Sequence, residues 1–211
     1  MKVTRKSLTG RRGSTEFFKG RMTAEERSLL QKVDRVLRLE QVDAQIRPIV
    51  ERVRAKLARK EDALMAWEPI ALTLFGGALP AVIRSSWVFI LRAGANTGAE
   101  RHPNSHQRMM SFEATGDMQT EAEPLGGATR VPSDIVWQSN ILVSDPEASL
   151  ERRWISIPQN VWHRPVIPKG ADWVVVSFHT VPAEELIEER PHADRAGSVK
   201  QMLYLASGRK G

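Results

Sequence analysis

Polar and apolar positions follow two different rhythms along this chain, and the change of rhythm comes near Ala66. Before it, Leu29, Leu30, Val33, Val36 and Leu37 recur at the spacing of a helix with one buried face. Thr23-Ala24-Glu25-Glu26 in front of them reads as a capping box, with the Thr23 hydroxyl accepting from a backbone N–H and Glu26 reaching back. Pro48 interrupts the pattern and places a break near residues 45–47. Ile49, Val50, Val53 and Leu57 carry a second helix to about Lys60. The apolar stripe requires a partner, either the following body or a second copy of the chain.

Past Ala66 the helical period stops. Short runs rich in Val, Ile, Trp and Phe predict strands over 70–75, 87–92, 107–113, 136–143, 153–157 and 172–178. Turn signals stand at Gly76-Gly77, Gly126-Gly127, Asp145-Pro146 and Lys169-Gly170. Residues 183–189 read as a short acidic helix, and 201–206 as an edge strand or a segment docked on the helices. Many short strands without alternating helices imply an antiparallel sandwich or barrel rather than βαβ units. The chain then divides into a basic, flexible arm (1–22), a helical segment (23–66) and a β-barrel with a C-terminal extension (67–211).

Composition narrows this in three ways. The net charge of +6 is unevenly spread: residues 1–60 hold 17 Lys/Arg against 7 Asp/Glu, and the remainder is acidic. A basic segment of this kind binds nucleic acid or an anionic surface when its charges are free, and is otherwise a solvated helical face, the reading favoured here. No cysteine is present, so a metal would have to be held by His, Asp, Glu or an amide, and a reducing cytoplasm is the expected location. No apolar run approaches the ~18 residues of a membrane span, and the basic N-terminus has no apolar stretch behind it to act as a secretory signal.

Three of the five histidines fall in two short stretches, 94–116 and 158–165. Pro158-Gln159-Asn160-Val161-Trp162-His163 resembles the second motif of the cupin superfamily, written Pro-x-Gly-x-x-His, with Asn160 at the Gly position. Asn also visits left-handed backbone conformations. The Gly before that motif falls at Arg152 and the Asn after it at Ile167. The first cupin motif is Gly, five residues, His-x-His, three or four residues, Glu, six residues, Gly. Anchored on Gly94, it places Glu100, His102 and His106 at the ligand positions. Anchored on Gly116, it gives His102, Asn104 and Met109, a poor set of donors.

The resemblance implies a mainly β, cupin-type antiparallel barrel (jelly roll) behind N-terminal α-helices, with Glu100, His102, His106 and His163 holding a divalent metal at its mouth. Residues two apart on a strand share a face about 6.6 Å apart, so Glu100 and His102 can point at one ion. His106 would lie about 13 Å from His102 in extended chain, so the set requires a bend at Pro103-Asn104-Ser105. Imidazole and carboxylate donors suit Fe, Zn, Mn or Ni. Arg108 and Arg164 are candidates for holding a substrate carboxylate, and Trp162 and His179 for lining the pocket.

The expected activity is a metal-dependent enzyme acting on a small, anionic organic molecule, with an oxygenase favoured over a lyase or isomerase. The chain is also similar in outline to the cupin sulfoniopropionate lyases, whose His-x-His-x-x-x-Glu-x-Tyr run corresponds here to Glu100, His102, His106 and Arg108. The tyrosine is thus replaced by arginine. The alternative is a non-catalytic sensor whose basic helices, including Arg47, Arg52, Arg54, Lys56, Arg59 and Lys60, contact nucleic acid or a protein partner. The helices otherwise cover the barrel or build a homodimer.

Overall fold

The computed structural model describes residues 22–122, 135–192 and 198–207. The expected flexible arm and the turn at Gly126-Gly127 lie outside these residues, the arm except for Met22. Helix α1 spans Ala24–Leu37, and the Thr23 hydroxyl accepts from Glu26 N at 3.1 Å, the expected cap. The Glu26 side chain does not complete a capping box. It turns instead to Arg108 and Ser156.

Helix α2 spans Glu40–Ala58 with Pro48 inside it, so the break falls at Arg38 and Leu39 rather than at residues 45–47. An internal proline costs about 3 kcal/mol. Burial outweighs it: Val42, Ile46, Ile49, Val50, Val53 and Leu57 are all buried, each stabilising by roughly 1.5–3 kcal/mol.

A five-stranded sheet has the order β1 (Met65–Ile70), β2 (Ser85–Leu91), β9 (Trp173–His179), β3 (Gln107–Glu113), β7 (Trp154–Ile157), with antiparallel neighbours. The facing sheet is built on β4 (Thr115–Glu121), which pairs β5 (Trp137–Gln138) and β6 (Ile141–Val143) on one side and β8 (His163–Val166) on the other. Bridges Asn96↔Val166 and Glu100↔His163 add the segment 96–102 beside β8. A hairpin, β10 (Ile187–Pro191) with β11 (Val199–Leu203), bridges to that segment at Arg101↔Glu189. The remaining helices are short: α3 (Leu150–Arg153) and α4 (Tyr204–Ser207). Two antiparallel sheets with this interleaved strand order form a jelly roll. No described helix is long and apolar enough to cross a membrane.

Side chains of the large sheet alternate between two cores. Trp87, Phe89, Leu91, Met109, Trp173 and Val175 fill the space between the sheets. Val88, Ile90, Met110, Val174, Val176 and Phe178 meet α1 and α2 on the other face. The helices therefore cover the barrel with their apolar stripe.

Three expectations are corrected. The strand expected over 70–75 is Met65–Ile70; Leu72–Phe75 is a 3₁₀ turn that buries Phe75 and ends at Gly76, whose φ of 60° closes the turn. The strand expected over 136–143 is two short ones, because Ser139 and the backbone N–H of Asn140 bond to Asp117. The acidic helix expected over 183–189 is a 3₁₀ turn, Ala183–Glu185, followed by β10, which places Glu188 in the interior. Residues 201–206 end β11, the expected edge strand, and enter α4, whose Tyr204 packs between the sheets rather than on the helices.

Candidate metal centre

Glu100 and His163 face each other as a backbone pair: Glu100 N–H donates to His163 O and His163 N–H to Glu100 O, both at 2.9 Å. Directly opposed residues of an antiparallel pair project to one face. His102, two residues on, projects to that face as well. One donor atom from each of Glu100, His102 and His163 lies within 4.8 Å of the others, a group that could hold a metal ion. His102 and His163 are 3% and 1% exposed. Asn160, which forms the turn before His163, stands at φ 62°, the left-handed conformation its motif position requires, and its N–H donates to His102 O at 3.1 Å.

Hydrogen bonding holds both imidazoles through the same ring nitrogen. His102 Nδ1 lies 2.9 Å from Ile187 O, and His163 Nδ1 lies 3.0 Å from Val161 O. A carbonyl only accepts, so each Nδ1 carries a proton and leaves Nε2 as the nitrogen free to meet a metal. The His163 Nε2 is buried, has no hydrogen-bond partner, and lies 3.5 Å from Glu100 Oε1. A buried imidazole nitrogen opposite a carboxylate calls for a positive charge between them, a proton or a metal ion. These residues therefore fit a divalent metal.

The electrostatics agree. Burial would raise the Glu100 carboxyl, but His163 and Arg190 hold it down to about 2. Burial, then His163, lowers His102 to about 4, so it is neutral near pH 7, the form a metal needs. Arg190 binds Glu100 Oε2 at 2.6 Å and also pairs with Glu188. Burial, with Glu100 nearby, raises Glu188 to about 7. His179 is 1% exposed, lies edge-on to His102 with ring centroids 5.1 Å apart, and is pushed well below its ordinary range chiefly by burial. Tyr204, from α4, has its ring 6.2 Å from that of His102 and packs against Trp67, Trp87 and Phe89.

The structure does not bring His106 to this group. The chain does turn at Pro103 and Asn104, but β3 then begins with Gln107 facing inward, in register with His179, so His106 and Arg108 face the helices. His106 Nε2 lies 2.6 Å from Ser156 Oγ. Arg108 donates to both oxygens of Glu26, at 2.7 and 2.9 Å, and is 4% exposed. Arg164 also lies away from the group: its Nε donates to Gln119 Oε1, and its guanidinium stacks 4.3 Å from the Trp137 ring. Trp162 is buried under the Arg101 guanidinium, 4.7 Å away. Of the four residues named for substrate, only His179 neighbours the group.

Sequence reasoning passed over Gln107, Glu188, Arg190 and Tyr204. Gln107 follows His102 by the longer, four-residue spacing, and its buried Oε1 has no hydrogen-bond partner. That spacing was a usable signal. The other three come from the C-terminal hairpin and α4, for which no spacing signal existed.

No family model matches the chain, and no curated protein matches it. Among solved structures it is similar to oxalate oxidase in complex with the substrate analogue glycolate: 12% identity, TM-score 0.40, covering 57% of this chain and 52% of that one. It is also similar to the capsular polysaccharide assembling protein CapF from Staphylococcus aureus (14%, 0.41, covering 57% and 27%) and to KdgF from Halomonas sp. (12%, 0.37, covering 56% and 79%). The chain thus spans about half of the oxalate oxidase and about a quarter of CapF. Likenesses of this size say nothing of activity. Strand order, the Asn160 turn and the His/Glu group between the sheets are the features that the resemblance to cupins led one to expect of this jelly roll.

Proposed function

We propose that the chain is a metal-dependent enzyme that acts on a small, anionic organic molecule inside the barrel, and that its reaction is an oxygenation. The carrying observation is the pair of imidazoles, each held through Nδ1 by a backbone carbonyl, with donor atoms within 4.8 Å of one another and of Glu100. Two His and one carboxylate are the donor set of non-haem Fe(II) oxygenases. His102, His163 and Glu100 would hold the ion, and Gln107, through Oε1, would add a fourth donor. Bound there, the metal would supply Lewis acidity and open coordination positions.

The chain's own residues do the rest. Trp67, Trp87, Phe89 and Tyr204 keep the interior apolar and exclude water. A groove of about 780 Å³ between α2, β1 and the C-terminal hairpin is lined by Lys56, Lys60, Trp67, Glu188 and Arg190. Glu68 also lines it and pairs with Lys56, while Lys60 is a further cation at its rim, and Glu188, at about 7, can hold or release a proton near neutrality. This last observation favours a lyase or isomerase as the second reading, with Glu188 as the base.

The sensor reading has less support. Arg47 pairs with Asp43, Arg52 and Lys56 with Glu68, and Arg54 with Glu113, so these four cations of α2 already have carboxylate partners.

The test is turnover by protein reconstituted with Fe(II) under argon, challenged with a panel of small hydroxy-, keto- and dicarboxylates in an oxygen electrode. Oxygen uptake that needs Fe(II) and is lost in His163→Ala supports the proposal. Conversion without oxygen uptake moves the assignment to a lyase or isomerase. No conversion of any panel member by metal-loaded protein rejects an enzyme for this substrate class.

A further inference from the structure

The C-terminal hairpin touches the metal centre at more points than a covering element needs. Ile187 O accepts from His102 Nδ1 at 2.9 Å, and so sets which nitrogen of that imidazole faces the ion. Arg190 Nη2 donates to Glu100 Oε2 at 2.6 Å, its Nη1 donates to Thr97 O at 3.0 Å, and its Nε pairs with Glu188. One guanidinium thereby ties the ligand carboxylate to the strand that carries it. Between the two contacts, Arg101 and Glu189 exchange backbone hydrogen bonds at 3.0 and 2.9 Å, and their side chains pair at 2.7 Å.

Asn104 closes the arrangement. Its Nδ2 donates to Glu185 O at 2.7 Å, and its Oδ1 accepts from Ile187 N–H at 3.1 Å. A single amide side chain thus holds both backbone groups flanking Leu186, two residues beyond His102, and fixes the height at which Ile187 O meets the imidazole. Segment 96–104 is gripped on one side by β8, which brings His163, and on the other by β10, which brings the groups that orient Glu100 and His102.

Resting on the metal-centre reading above, we propose that Asn104 and Arg190 are positioning residues for that centre, and that the C-terminal hairpin is its second half rather than a cover over it. Arg190 sets the orientation of the Glu100 carboxylate, and Asn104, through Ile187 O, sets the His102 tautomer. Groups in this relation to metal ligands control affinity by about 10–100-fold. In the folded protein, hairpin and ion stabilise each other, since whatever binds only the ordered arrangement favours it.

The test uses the full chain and has two readouts. The first is Co(II) and Zn(II) affinity by competition with a chromogenic chelator, for wild type, Asn104→Ala, Arg190→Met and Arg190→Lys. Asn104→Ala is expected to weaken binding about tenfold and Arg190→Met by 10–100-fold. Arg190→Lys, which keeps the charge and loses the fork, is expected to fall between wild type and Arg190→Met. The second readout needs no metal: ¹⁵N shifts of the His102 ring in the metal-free protein. A single Nδ1–H tautomer is expected in wild type and a mixture in Asn104→Ala, with the overall fold checked by circular dichroism.

Folded variants that bind metal within twofold of wild type overturn the proposal, as does an unchanged His102 tautomer in Asn104→Ala. If wild type binds no metal, the metal-centre reading fails. The tautomer experiment then still decides whether Asn104 positions His102.

Discussion

Replacing Glu26 by Gln separates the two faces of the large sheet. Glu26 is the ion-pair partner of Arg108, whose side chain is 5% exposed; that of Glu26 is 15% exposed. Its carboxylate accepts two bonds from Arg108, at 2.7 and 2.9 Å, and one from Ser156, at 2.7 Å. Stripping a buried ion of its counter-charge costs about 3–5 kcal/mol. The glutamine amide keeps one acceptor oxygen, so the expected loss is near the low end, about 3 kcal/mol. With a urea m-value of roughly 2 kcal/mol/M, that moves the unfolding midpoint down by about 1.5 M.

The pH dependence follows from the direction of the shift. Burial would raise the Glu26 carboxyl, but Arg108 and Ser156 outweigh it and hold it below its ordinary value of 4.5. The group therefore stabilises fully above that value, and the stabilisation is lost as pH falls through the depressed folded-state value. The gap between wild type and Glu26→Gln should be full well above 4.5 and narrow as the pH falls below 4.5 toward the depressed folded-state value. Because Glu26, Arg108 and His106 lie on the helix face, metal affinity should change less than twofold. A stability loss under about 1 kcal/mol, or a tenfold loss of metal affinity, refutes this assignment of faces.

Further outcomes are expected at other points of the molecule. His106→Ala should keep wild-type metal affinity while His102→Ala loses at least a hundredfold, measured with the same chelator. Asp34→Ala should cost about 3–5 kcal/mol in urea unfolding, because Arg153 and Trp154 Nε1, both bonded to Asp34, lose their partner in a buried site. Gly116→Ala should destabilise by at least about 1–3 kcal/mol, since a Cβ there would stand 2.1 Å from the Trp173 ring. Mean residue ellipticity during thermal melting reads that change directly.

The parts of this fold that were legible in the sequence are those a local rule decides. The helical period before Ala66, the strand over 107–113 and the two-residue spacing of Glu100 and His102 all reflect backbone geometry alone. The Asn160 turn was legible for the same reason, since few residues tolerate φ near 62°. Where tertiary burial competes with a local signal, the local signal loses. Pro48 sits inside α2 because the helix has six apolar residues to bury.

His106 shows the limit for sites. The bend at Pro103 was foreseeable, but the face on which the chain re-enters the sheet depends on its register with β9, which pairs Gln107 with His179. A shift of one residue moves every side chain to the other face, so spacing alone could not choose between His106 and Gln107. Glu188, Arg190 and Tyr204 were out of reach because the C-terminal hairpin joins the centre only through long-range pairing, at Arg101↔Glu189.

The central claim is that Glu100, His102 and His163 hold a metal between the two sheets. It is tested most directly by metal analysis of protein purified without a histidine tag and reconstituted with Fe(II) or Zn(II) before desalting, with His163→Ala beside it. The account predicts about one equivalent retained by wild type and less than about a tenth by the variant, given the dominance of these three donors in the site. Less than about a tenth of an equivalent in wild type, or equal retention by both proteins, contradicts it.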